Sequence, residues 1–132
     1  VKPSDDGSFY IGWNDFIKYY GNFVFCKLDP TYTHTSQRMT NNKRKSNYFR
    51  LTVKEQGRYY ISIYQESKRK MSKFKNYEFS SARVILMRKN GNKLTYAGSK
   101  NKGSYACTLE CDLQPGIYIL SGKVKWKHWN DH

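Results

Sequence analysis

The sequence predicts an all-β fold: an antiparallel β-sandwich of about eight strands preceded by a short helix. Three observations point there. Aromatic residues make up 17% of the 132 residues, and such side chains suit the pleated, half-buried surface of a sheet. From residue 47 onward apolar residues recur with period two, in runs separated by Gly, Asn and Pro, which is the pattern of short strands joined by turns. The length suits a single domain with one core. The aromatic content argues against disorder, and no run approaches the roughly 18 apolar residues of a transmembrane helix.

The elements follow in order. Asp6-Gly7 marks a turn, and Phe9-Tyr10-Ile11 reads as β. Trp13, Phe16, Ile17 and Tyr20 fall at i, i+3, i+4 and i+7, one face of a helix. Asp15 sits in its first turn, where the helix dipole favours a carboxylate, and Gly21 supplies a stop. Phe23 to Leu28 reads as a strand ended by Asp29-Pro30. Residues 31–46 are polar and basic with no apolar period, and read as a loop.

Strands are then expected at 48–53, 58–64, 82–87, 94–97, 105–113 and 117–126. Asn90-Gly91 is a hairpin signal, Gly98 to Gly103 reads as a turn, and Pro115-Gly116 as a tight turn. Tyr59, Ile61 and Ile63 share one face of their strand, as do Cys107, Leu109, Cys111 and Leu113. In the last strand Tyr118, Leu120, Val124 and Trp126 share a face, with Lys123, Lys125 and Lys127 on the other. Val84, Leu86, Ile61, Ile63, Leu109, Leu120 and Trp126 are expected in the core.

Catalytic and metal-binding patterns are sparse. Cys107 and Cys111, four apart on a strand, stand about 13 Å apart, too far for a shared zinc or a disulfide. They and Cys26 read as buried, inert thiols. His34, His128 and His132 fall in a loop and the tail, and show no pairing with a nucleophile. Asp5-Asp6-Gly7 opens like a calcium loop but lacks the further ligand positions, and no glycine-rich phosphate cradle occurs. No metal or cofactor is expected. Three cysteines without a charged-then-apolar leader point to a reducing, cytoplasmic location.

Charge is the loudest signal. The formal net charge is +14, and it is uneven: residues 1–30 carry −1, residues 31–75 carry +10 and residues 76–132 carry +5. Two clusters stand out, Lys43-Arg44-Lys45 and Lys68-Arg69-Lys70 with Lys73 and Lys75. They lie in expected loops beside Tyr48, Phe74 and Tyr77, so phosphate contact and ring stacking are both available. A solvated surface is the plain alternative reading. None of the usual nucleic-acid motifs is present.

A resemblance joins these features. Asp6-Gly7-Ser8-Phe9-Tyr10-Ile11, then Trp13-Asn14-Asp15-Phe16, then Val24-Phe25-Cys26-Lys27-Leu28, resembles the segment that ends the papain-like protease core of calpains. Phe49-Arg50-Leu51-Thr52-Val53 and Tyr60-Ile61-Ser62-Ile63 resemble strands of the calpain β-sandwich, domain III. Gln65-Glu66-Ser67-Lys68-Arg69, Leu113-Gln114-Pro115-Gly116-Ile117-Tyr118 and Val124-Lys125-Trp126 are similar to that domain's Gln-Glu-Asp-Lys-Arg, Leu-x-Pro-Gly-x-Tyr and Val-Asp-Trp stretches. The likeness is colinear and covers nearly the whole chain outside residues 31–46.

The resemblance implies two parts: residues 1–28 as the edge of a protease core, and residues 29–132 as the sandwich. In calpains the catalytic Cys, His and Asn lie upstream of the matched segment, so a non-catalytic regulatory and interaction module is implied. Conventional calpains carry an acidic run in a loop of this domain. Here the region between Gln65 and Phe79 is basic, so calcium, which needs carboxylate oxygens, is not expected there. The expected partner is an acidic protein surface, such as a protease core or a tubulin tail, or an anionic lipid surface. Lys43, Arg44, Lys45, Lys68, Arg69, Lys70, Lys73 and Lys75 would make the contact, and a tubulin partner would imply a cytoskeletal association. The alternatives are the regulatory domain of an active cysteine protease whose core lies upstream, and a nucleic-acid-binding protein. In each case the chain is expected to belong to a larger protein or assembly.

Overall fold

A computed structural model describes residues 6–23, 25, 28–40, 46–73 and 76–127. The chain forms two compact units, residues 1–37 and 38–132. In the first, α1 (Trp13–Tyr19) occupies the span that the apolar spacing marks. Gly12 accepts the first helical hydrogen bond from Phe16 N at 2.8 Å, and Tyr20 N closes the helix onto Phe16 O at 2.9 Å. The turn before it is an Asx turn: Asp6 Oδ1 accepts from Ser8 N, and Gly7 takes a φ of 79° that other residues rarely adopt. Trp13 stacks on Phe16, Phe16 on Tyr20, and Phe23 meets both Phe16 and Phe25. No residue of α1 is buried.

Among the described residues the second unit holds six strands: β1 (Asn47–Val53), β2 (Gly57–Tyr64), β3 (Ser81–Asn90), β4 (Lys93–Lys102), β5 (Ala106–Leu113) and β6 (Gly116–Lys125). They form a four-stranded sheet of order β1-β6-β3-β4 and a two-stranded sheet of β2 and β5. Every pairing is antiparallel. The fold is therefore all-β with one short helix, as the aromatic content and period-two patterning predict, with six strands rather than about eight.

The alternation in each strand decides which face meets the other sheet. Ala82, Val84 and Leu86 of β3 are fully buried, and Ile63, Cys107, Leu109 and Leu113 of the smaller sheet close over them together with Val53, Tyr118 and Val124. Burying a Val or Leu side chain stabilises by about 1.5–3 kcal/mol, so this row anchors the unit. Two glycines allow the close approach of the sheets. A Cβ at Gly98 would meet Leu109 at 3.4 Å, and one at Gly122 would meet Met39 Sδ at 3.2 Å and Ile63 Cδ1 at 3.3 Å.

Several expectations are corrected. Phe9-Tyr10-Ile11 lies in no strand, nor do Phe23, Phe25 and Leu28, the described part of the 23–28 run; among the described residues none of these pairs with a ladder partner. Gly98 to Lys102 is not a turn but the second half of β4. β4 is an edge strand, so one side of its ladder faces solvent and a polar sequence is tolerated. The register shift at Leu86/Met87, where Gly98 and Tyr96 are the successive partners, leaves Ala97 as a bulge. The hairpin turn centres on Gly91 and Asn92, with positive φ at Gly91 alone, as a turn needing φ > 0 only at its first central residue requires. Trp126 is 40% exposed, because it lies past the last ladder pair, Ser81 with Lys125.

The burial pattern gives a direct expectation. Leu86→Ala should destabilise by about 2–5 kcal/mol, read as a fall in the urea midpoint. A loss below about 0.5 kcal/mol would place the core elsewhere.

Candidate functional site

The strands sort the charges. The four strands of the larger sheet carry nine Lys and Arg and no Asp or Glu. The smaller sheet is locally neutralised: Arg58 pairs with Glu110 at 3.2 Å and with Asp112 at 3.3 Å. The Glu110 hydrogen bond and then the Asp112 charge hold the Arg58 pKa above its ordinary value. Among the described strands, positive charge without an ion-paired carboxylate therefore gathers on the larger sheet, and the loop that leads into it adds to it.

That loop joins β2 to β3, and the residue that closes it is Gln65. Its Nε2 donates to Ser80 O at 2.7 Å and to Ser104 O at 3.2 Å, and its Oε1 accepts from Ser80 N at 2.9 Å. Its backbone N–H donates to Tyr105 O at 3.0 Å. Gln65 and Ser80 are both buried, so these bonds satisfy polar groups that water does not reach. Tyr77, also buried, donates its hydroxyl to Glu66 O at 2.7 Å, and its pKa is raised by burial and then by the Glu66 charge. The ends of the loop are thus fixed, and the turns at 68–73 stand exposed between them.

Inside the loop Lys70 pairs with Glu66 at 2.9 Å, and Lys70 N donates to Ser67 Oγ at 3.2 Å. Lys68 Nζ lies 5.6 Å from the Phe79 ring centroid, a cation–π distance. Arg69 and Lys73 are exposed, and neither has an ion pair among the described residues. Rings continue from the loop as a chain of edge contacts, Tyr77 to Phe79 to Tyr105 to Tyr64, and Tyr64 and Tyr105 keep exposed faces.

The structure therefore brings Lys68, Arg69, Lys70 and Lys73 together on one loop. Lys43, Arg44, Lys45 and Lys75 lie outside the described residues. A second cationic group emerges that the sequence reading did not single out. Arg83, Lys123 and Lys125, with Ser81 and Asn101, line a cleft of about 220 Å³ on the outer face of the larger sheet. The alternation of Lys123 and Lys125 was visible in the sequence. Their meeting with Arg83 depends on the β3–β6 register, in which Arg83 stands opposite Lys123 and Ser81 opposite Lys125.

Other chemistry is limited. Cys107 is buried and Cys111 half-buried, both free, and burial is the first cause raising both thiol pKa values, which disfavours the nucleophilic thiolate. Among the described residues no group of His, Cys, Asp and Glu is placed to hold a metal ion, and no helix is long and apolar enough to cross a membrane. No family model, curated protein or solved structure matches the chain.

Gln65→Ala should cost about 1–3 kcal/mol by orphaning buried partners. It should also speed amide hydrogen exchange across residues 66–80; unchanged exchange would contradict the clamp. Glu78, paired with Lys127, has its pKa lowered by that hydrogen bond. The contribution of the pair is present above the unfolded carboxylate pKa and lost as pH falls through the folded one. Glu78→Gln should therefore lower stability at neutral pH and leave it unchanged below both pKa values, as urea midpoints across pH would show.

Proposed function

We propose that the chain is a non-catalytic docking module of calpain-like type, and that its basic loop engages an acidic protein surface or an anionic lipid surface. The observation that carries this reading is the loop itself. Arg69 and Lys73 project from turns whose ends are held by Gln65 and Tyr77, so their charges are presented without an internal counter-ion among the described residues. Fixing the loop before binding lowers the ordering cost of an electrostatic contact. The resemblance supplies the family context. Its Gln65-Glu66-Ser67-Lys68-Arg69 stretch opens the clamped loop, and its Leu113-Gln114-Pro115-Gly116-Ile117-Tyr118 stretch is the β5–β6 connection, where Tyr118 donates its hydroxyl to Gln114 O at 3.0 Å.

Single-stranded nucleic acid is the second reading. It is favoured by one feature, the exposed rings of Tyr64 and Tyr105, which adjoin through Phe79 the ring that Lys68 covers, since stacking rings near cations suit unpaired bases.

Arg69→Gln/Lys73→Gln should weaken binding to a glutamate-rich peptide or to phosphatidylserine vesicles roughly tenfold, on the scale of losing two exposed charge contacts. It should also flatten the salt dependence. Lys70→Gln alone should do less, because Glu66 already meets that charge. Unaltered binding by the double variant would remove the loop from the interface. Retained binding to oligonucleotides, with none to peptide or vesicles, would select the second reading.

A further inference from the structure

The cleft on the outer face of the larger sheet is a different surface from the loop. Adjacent strands place its groups in register. Asn101 of β4 stands opposite Arg83 of β3, and Arg83 opposite Lys123 of β6. Like charges directly opposite in an antiparallel pair are destabilising. No carboxylate relieves this pair, since none of the four strands carries one. Arg83, Lys123 and Lys125 form no ion pair among the described residues. Ser81 Oγ donates to Asn101 Oδ1 at 2.7 Å, which leaves the Asn101 amide N–H groups as donors. The cleft thus offers a guanidinium, two ammonium groups and an amide, with no acidic group.

The same face changes character beyond the cleft. The next outer-facing registers along the strands hold Ile85 beside Ser121, then Met87 beside Ile119. These apolar side chains are half-buried in the plane of the sheet. We propose that this face binds a phosphorylated peptide, with its phosphomonoester in the cleft of Arg83, Lys123, Lys125 and Asn101 and its alternate apolar side chains on Ile85, Met87 and Ile119.

A phosphate dianion fits better than a carboxylate. It brings three acceptor oxygens and close to two charges to three cations and an amide. An extended peptide repeats its same-side residues at twice the rise of about 3.3 Å, the spacing of the outward positions of β3 and β6. A bilayer fits less well, because the apolar groups lie flat in the sheet instead of on a protruding loop. A nucleic acid fits less well, because its phosphates repeat at regular steps, while the cations of β3 and β6 on this face are interrupted after Arg83 and Lys123 by Ile85, Ser121, Met87 and Ile119 and return only at Lys89.

The test is a fluorescence-anisotropy titration with a labelled peptide in which one phosphoserine alternates with leucines at positions two and four residues to either side. Serine and glutamate versions serve as controls. The phosphoserine peptide is expected to bind at least tenfold more tightly than either control. Arg83→Gln/Lys123→Gln should abolish that difference while its urea midpoint stays level or rises, because the opposed like charges are gone. Arg69→Gln/Lys73→Gln should retain it, so failure of the loop's role and failure of this one are separable. Equal binding of all three peptides would overturn the proposal, as would loss of the difference in the loop variant. Binding of phosphoinositide vesicles without binding of the phosphopeptide would also overturn it and assign the face to lipid.

Discussion

The larger unit depends on the burial of Ala82, Val84 and Leu86 along one face of β3. β3 is the interior strand that pairs with both β4 and β6, and its inward residues are among those most completely removed from water. Cys107, Leu109 and Ile63 of the two-stranded sheet close over that row. Glycine at positions 98 and 122 lets them approach. With the inward face of β3 fixed, its outward face is fixed too, because a strand alternates with period two. Arg83 faces out because Ala82 and Val84 face in, and the same parity carries Lys123 out beside it.

This coupling explains how a small sandwich holds so much uncompensated charge. Self-repulsion among exposed cations is weak at the dielectric of water and is screened by salt, whereas each buried aliphatic side chain stabilises by about 1.5–3 kcal/mol. Packing therefore wins, and the sheet tolerates a face that electrostatics alone would disfavour. The carboxylates are placed where they do not relieve it. Glu110 and Asp112 are engaged with Arg58 on the smaller sheet, and Glu66 and Glu78 are engaged with Lys70 and Lys127. What remains is positive potential gathered where β3 starts and β6 ends.

Much of this was legible in the sequence, and the limits have physical causes. The helix at Trp13–Tyr19 followed from apolar spacing, which is local. The inward sets Tyr59-Ile61-Ile63 and Cys107-Leu109-Cys111-Leu113 followed from alternation, also local. Gly98 misled because glycine signals a turn and a close sheet contact equally well. Only the position of Leu109, eleven residues on and in the other sheet, decides between them. Trp126 misled because parity says which way a residue faces, not whether anything lies opposite. The loop cations were plain as a run of like charge. The cleft was not, since Arg83 and Lys123 are forty residues apart and meet only through register. Gln65 was read as part of a resemblance, while its structural task, holding both ends of the loop through one amide, depends on where Ser80 and Ser104 fall.

The most direct measurement is chemical-shift mapping on isotope-labelled protein titrated with a glutamate-rich peptide at low salt. Saturable shifts concentrated in residues 66–73 are expected, with the amides of the turn at 91–92 and of Gln114 and Gly116 unmoved. Shifts centred on those positions, or an absence of saturable shifts anywhere, would contradict a cationic docking loop.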